Sequence, residues 1–201
     1  MRKKLKFKKL LNEYRSLSYE LEYVKEVLPV ANQDFDNYYR EFCKRKKVDI
    51  PILEKENKLK VDELLKKPAI EKAKIRAKEY DHRLVFREIA RKLHPDKLSP
   101  GDSRLGEFED AFKKANDAMQ TGKWGNLFDV AEKYDIDIKE YEVVNKSLKE
   151  DINRIKVLIE KEKTTYAWKL FNCEGDNKCM DNVIRQFLKH LFNYTVNEIV
   201  F

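Results

Sequence analysis

The apolar positions give the first outline of the chain. Leu10, Tyr14, Leu17, Leu21, Val24 and Leu28 recur in alternating steps of four and three, which sets them in a seam along one side of a long helix. A coiled coil usually needs three or four heptads, so packing of this seam on its own chain is expected, with self-association as the alternative. Pro29 and the Asn-Gln-Asp that follows predict a stop near residue 30 and a restart over Phe35–Lys44. Val48–Ile52 contains a proline and reads as a connector, and a charged helix is expected over Leu53–Lys66. Pro68 is placed to begin another helix, and from Ala69 no breaker interrupts the chain before Leu93.

Pro95 closes that helix, because the residue before a proline avoids the α region. HPDKLSPGDSRLG then carries two prolines, two glycines, Asp and Ser, the composition of a loop. Phe108, Ala111, Phe112, Ala115, Ala118 and Met119 mark the inner face of the next helix, and Gly122 stands where a C-cap belongs. Trp124, Leu127, Phe128, Ala131 and Tyr134 predict a short helix, and Val144, Leu148, Ile152, Ile155 and Ile159 a second long stripe. An aromatic cluster of Tyr166, Trp168 and Phe171 should dock on the core. A last helix shows Val183, Ile184, Phe187, Leu188, Leu191 and Phe192 on one face. Only the terminal TVNEIVF has the look of a strand. The patterning therefore predicts an all-α protein.

Composition agrees with that class. The 201 residues include only five glycines and five prolines, with 39% charged, and so few breakers among so many Lys, Glu and Leu favour helix. The net charge of +7 favours an acidic partner, whether nucleic acid, an anionic membrane or an acidic protein face. No stretch approaches the about 18 apolar residues of a membrane helix, and the basic MRKKLKFKKLLNEY leads into no signal-like apolar run. A soluble, intracellular protein, placed in the cytoplasm and without membrane contact, is the expectation. Cys43, Cys173 and Cys179 make an odd count, and free thiols are expected in a reducing compartment, with a local Cys173–Cys179 disulfide under oxidation as the alternative.

Chemistry concentrates where two apolar-faced helices meet a polar loop, a connection that makes them antiparallel neighbours. Phe86, Ile89, Ala90 and Leu93 form the inner face of the first helix, while Arg83, Arg87 and Arg91 form a basic ridge at four-residue steps, widened by Lys92 and Lys97. At the end of the ridge Asp96 follows Pro95, so its carboxylate leaves the helix in a fixed direction.

FREIARKLHPDK and FKKANDAM resemble the second helix with its His-Pro-Asp loop, and the third helix, of the J-domain family, whose common forms are YRKLAKKYHPDK and FKEINEAY. The resemblance implies a co-chaperone whose loop and basic helix dock on a DnaK-type ATPase chaperone and stimulate its ATP hydrolysis. It assigns His94, Pro95 and Asp96 as the indispensable triplet. Arg83, Arg87, Arg91, Lys92 and Lys97 become the docking surface, and Phe86, Ile89, Leu93, Phe112 and Ala115 the supporting core. The chain departs from the family in three places: no YxxLG-type motif precedes the second helix, Glu88 stands where a basic residue is more usual, and the expected helix over Ala69–Leu93 is longer than usual. It also lacks the Gly/Phe-rich linker and CxxCxGxG zinc repeat of a full-length DnaJ.

Three regions follow from this reading: an N-terminal helical region over 1–67, a J-like helical hairpin domain over 68–136 and a C-terminal helical region over 137–201. The flanks would bring an unidentified client or assembly. No nucleophile triad, paired carboxylates or phosphate loop stands out, so no enzyme activity and no cofactor are expected. His82, His94 and His190 lack ligand spacing, so no metal is expected. Two alternatives remain open at this point. One is a structural or assembly protein, for example a viral particle component, that keeps the hairpin as a packing unit. The other is a basic nucleic-acid-associated helical protein, whose binding would depend steeply on salt.

Overall fold

The structure, a computed structural model, describes residues 2–53, 55, 82–97 and 101–196. Among these all regular structure is helical: α1 (Arg2–Lys46), α2 (His82–Leu93), a 3-10 turn (Pro95–Lys97), α3 (Leu105–Thr121), α4 (Trp124–Lys133), α5 (Tyr141–Lys163), α6 (Tyr166–Phe171) and α7 (Asn177–Phe192). None of the described helices is long and apolar enough to cross a membrane.

The chain forms two compact units, and each draws on more than one stretch of sequence. The first joins α1 up to Leu21 with α2, α3, α4 and α5 as far as Val157; the second joins α1 from Glu22 with α6 and α7.

In the first unit, Val85, Ile89 and Leu93 of α2 meet Ala111, Ala115 and Ala118 of α3. The small alanines let the neighbouring helices approach closely. Gly122 ends α3 in the left-handed conformation at φ 68°, the role its position predicts. α4 has no side-chain cap of its own. Asp151 of α5 supplies one, accepting the Gly125 N–H at 2.8 Å. Burial pushes this carboxyl above its ordinary range, while the Gly125 amide and Arg154 draw it back. Tyr14 of α1 lies flat on Gly125, where a Cβ would overlap the phenol ring, and its hydroxyl donates to Asn126 Oδ1 at 2.8 Å. Burial pushes the Tyr14 pKa up to about 12. His82 is buried too, stacked on Trp124 at 3.9 Å with Nε2 3.2 Å from Ser147 Oγ.

The second unit has its own core of Tyr39, Phe42, Cys43, Leu170, Ile184 and Leu188. Phe187 meets Phe35 edge-on at 5.0 Å and Tyr166 at 5.4 Å. Thr165 caps α6 by accepting from Trp168 N–H at 3.3 Å, and Asp176 caps α7 by accepting from Lys178 N–H at 2.9 Å.

The seam of α1 packs within its own chain, with Leu10, Tyr14 and Val24 buried, and the three-four spacing continues outward to Phe7 and Phe42. That continuation overturns the expected break at residue 30: α1 runs unbroken through Pro29. An internal proline costs about 3 kcal/mol. Val24, Ala31, Tyr39 and Phe42 are all buried, and burying a side chain of the size of Val24 or Phe42 contributes about 1.5–3 kcal/mol. Pro29 and Lys25 face solvent, so water can reach the carbonyl that the proline leaves without a donor.

Two further expectations are corrected. Residues 48–52 are not all connector, because the chain is helical again from residue 50. Asp49 Oδ1 accepts the Ile52 N–H at 3.3 Å, and Pro51 occupies a first-turn position where its missing N–H costs nothing. Cys173 and Cys179 are not free thiols. The turn between α6 and α7, with positive φ at Glu174 and Gly175, brings their Cα atoms to 5.6 Å, and they form a disulfide. Cys43 is free and buried. Most of the charged helix over 53–66, the Pro68 start and the chain from Ala69 to Asp81 lie outside the described residues, as does most of TVNEIVF.

Candidate functional site

Pro95 stops α2 at Leu93, as its ring requires. The His94 N–H still donates to Ala90 O at 3.1 Å, and the Lys97 N–H then donates to His94 O at 3.0 Å, closing the 3-10 turn that carries Pro95, Asp96 and Lys97. The Asp96 N–H reaches back to His94 Nδ1 at 3.3 Å, and the same nitrogen is 3.5 Å from Asp96 Oδ2. His94 and Asp96 therefore fold onto one another. The Asp96 side chain is 86% exposed, and that of His94 43%.

The His94 ring is held from below by Phe112 of α3, edge-on at 5.3 Å, and Phe112 also stacks on Phe86 of α2 at 5.9 Å. On the return side of the loop, Arg104 forks onto Asp102 at 3.1 and 2.8 Å. Those bonds, with the Arg104 backbone N–H, draw the Asp102 pKa down to about 2.

The basic residues divide by what they do. Arg83, Arg87 and Arg91 are exposed at successive turns of α2. Among the described residues neither Arg83 nor Arg87 has a hydrogen-bonding or ion-pair partner. Arg91 pairs with Glu88, one turn back, at 2.6 Å, so the unusual acidic residue of the helix neutralises one end of the ridge. Lys92 turns away and donates to Tyr134 O at 2.6 Å, capping the last turn of α4. Lys97 donates to Arg91 O near the end of α2. The open part of the site is thus Arg83, Arg87, His94, Pro95 and Asp96; Lys92 and Lys97 serve the helix ends beside it.

No group of His, Cys, Asp and Glu suited to a metal ion occurs among the described residues. Such a surface can present one fixed anion and two mobile cations to a partner, with an imidazole between them. The direct Phe112–His94 contact is the part that sequence reasoning placed only in the supporting core. Its signal was the coincidence of Phe86, His94 and Phe112 on facing helices. Comparison with known proteins finds no matching family model, no matching curated protein and no matching solved structure.

Proposed function

We propose that the chain is a co-chaperone of J-domain type, which binds a DnaK-type ATPase chaperone through His94, Pro95 and Asp96 and stimulates its ATP hydrolysis. One observation carries this reading: the Asp96 carboxylate projects into solvent at the end of a helix whose Arg83 and Arg87 are unpaired among the described residues. Beyond its 3.5 Å approach to His94 Nδ1, that carboxylate has no ion-pair partner among the described residues, so a partner cation could meet it. Losing one member of a buried charged pair across an interface costs about 2–5 kcal/mol. Arginines along the same helix would speed encounter with an acidic face and fix the register.

A second reading draws on Arg91, Lys92 and Lys97. Each is bonded within the chain, as in a hairpin kept as a packing unit of a structural protein. Single-turnover ATP hydrolysis by a DnaK-type chaperone separates the two. Wild type should accelerate hydrolysis, and Asp96→Asn should abolish the acceleration without altering stability. Equal rates with wild type, Asp96→Asn and no added protein would leave the packing unit standing.

A further inference from the structure

The second unit carries a pocket unrelated to the His-Pro-Asp loop. It is an open hollow of about 350 Å³ between α1, the end of α6, the α6–α7 turn and the start of α7. Leu170, Phe171 and Met180 provide an apolar side, and Phe171 remains 37% exposed. The opposite side is α1, which presents Asp34, Asn37, Tyr38 and Glu41 over two turns.

The carboxylates of this region fall into two groups. Asp36 is paired with Arg40 at 2.9 Å, and Asp181 with Arg45 at 2.8 Å and with the Tyr38 hydroxyl at 2.6 Å. Those bonds fix the Tyr38 ring against the pocket. Asp34 and Glu41, on the rim, have no counter-charge among the described residues. Two open anions therefore flank an apolar, aromatic-lined hollow on a chain whose net charge is +7. The hollow is also pre-shaped. Gly175, in its wall, takes φ +84° with open space where a Cβ would stand, and the Cys173–Cys179 disulfide closes the turn that contains it. A wall fixed before binding spares the ordering cost of forming it.

We infer that this pocket receives a basic segment of a partner protein, with two arginine or lysine side chains three residues apart in an extended stretch. Glu41 lies seven positions after Asp34 on the helix, a rise of roughly 10.5 Å. Residues i and i+3 of a polyproline-II stretch share a face and lie roughly 9 Å apart, so one cation meets each carboxylate. The faces of Tyr38 and Phe171 suit a guanidinium, and Met180 adapts to the aliphatic side chain between the cations. The overall positive charge repels a basic peptide, so its binding has to come from a local acidic site such as this. This inference does not rest on the chaperone reading.

The test is fluorescence anisotropy with the labelled hexapeptide Gly-Arg-Pro-Leu-Arg-Gly and the full chain. Wild type should bind saturably, and the double variant Asp34→Asn/Glu41→Gln should raise Kd about tenfold or more. Both substitutions are at exposed positions, and circular dichroism checks that the fold is kept. Asp96→Asn should leave Kd unchanged, which separates this site from the loop. The same peptide with citrulline for arginine should bind no better than the double variant. Equal affinity of the double variant, equal affinity for the citrulline peptide, or no saturable binding by wild type would each overturn the inference.

Discussion

The edge of the His94 imidazole meets the Phe112 ring at a centroid separation of 5.3 Å and an interplanar angle of 65°. That contact ties the exposed triplet to α3, and α2 shares the same ring through Phe86. Phe112→Ala removes both contacts and leaves a hollow under the loop. The expected loss is about 2–4 kcal/mol, below that of a fully buried phenylalanine because Phe112 is only half-buried. Amide exchange at Lys97, whose N–H is held by His94 O, should quicken by more than global unfolding explains. Phe112→Leu should restore most of the stability but not the slow exchange. Unchanged local exchange in Phe112→Ala would show that the ring does not position the loop.

Gly125 leaves room for Tyr14, and no side chain can be added there without displacing the phenol. Gly125→Ala should therefore cost about 1–3 kcal/mol, although alanine is the better helix former. Tyr14→Ala should be destabilising by itself, since the ring is buried and its hydroxyl is bonded to Asn126. The double variant should be less unstable than the sum of the two, because the clash vanishes with the ring. Additive losses in denaturant unfolding would refute the steric account.

Much of this architecture was readable from spacing. The stripes at Phe108–Met119, Val144–Ile159 and Val183–Phe192 foretold α3, α5 and α7, because each needs only a helical period and one buried face. Pro95 and Gly122 marked their helix ends for local reasons. Pro29 misled because its cost is local, whereas the burial that outweighs it is spread along α1 on both sides. Cys173 and Cys179 misled because their pairing depends on a turn with two positive φ values, one of them at a non-glycine residue, Glu174. The triplet was legible as a motif, and its exposure was not. Nor could the sequence tell that Lys92 points to Tyr134 while Arg87 points to solvent, since both sit on one charged helix and differ only in which neighbour lies across from them. Asp151 capping α4 from another helix is a further case of tertiary placement without local signal.

Asp129 gives the first unit a dependence on acid. Burial alone would raise its pKa, but Lys114 and Arg15, each bonded at 2.6 Å, more than offset that and hold it below the ordinary carboxylate value of 3.8. A lowered folded-state pKa gives stability that is fully present above the unfolded value and is lost as pH falls through the folded one. Asp151 acts in the opposite sense: its raised pKa makes its contribution decline as pH rises from 3.8 through the folded value. Asp129→Asn should cost about 1–3 kcal/mol near neutral pH, and the gap from wild type should narrow below pH 3.8. Denaturant unfolding at neutral and acidic pH reads both. A gap constant across that range would mean that the Asp129 charge contributes nothing.

Arg87 and Lys92 lie on the same helix with opposite expected roles, and comparing them separates docking from folding. Arg87 is exposed and, among the described residues, unpaired, so Arg87→Ala should change stability by no more than about 0.5 kcal/mol. Lys92 holds the Tyr134 carbonyl at the end of α4. Removing a charged donor from such a carbonyl should cost about 0.5–1.5 kcal/mol, the cost kept modest by solvent access. On the chaperone reading the order reverses in the ATPase assay. Arg87→Ala should weaken stimulation, and the difference from wild type should shrink as salt rises, because the lost contribution is long-range attraction. Lys92→Ala should stimulate nearly as well as wild type at a temperature where both are folded. Stimulation lost with Lys92 and kept without Arg87 would place the docking face on the other side of α2, toward α4.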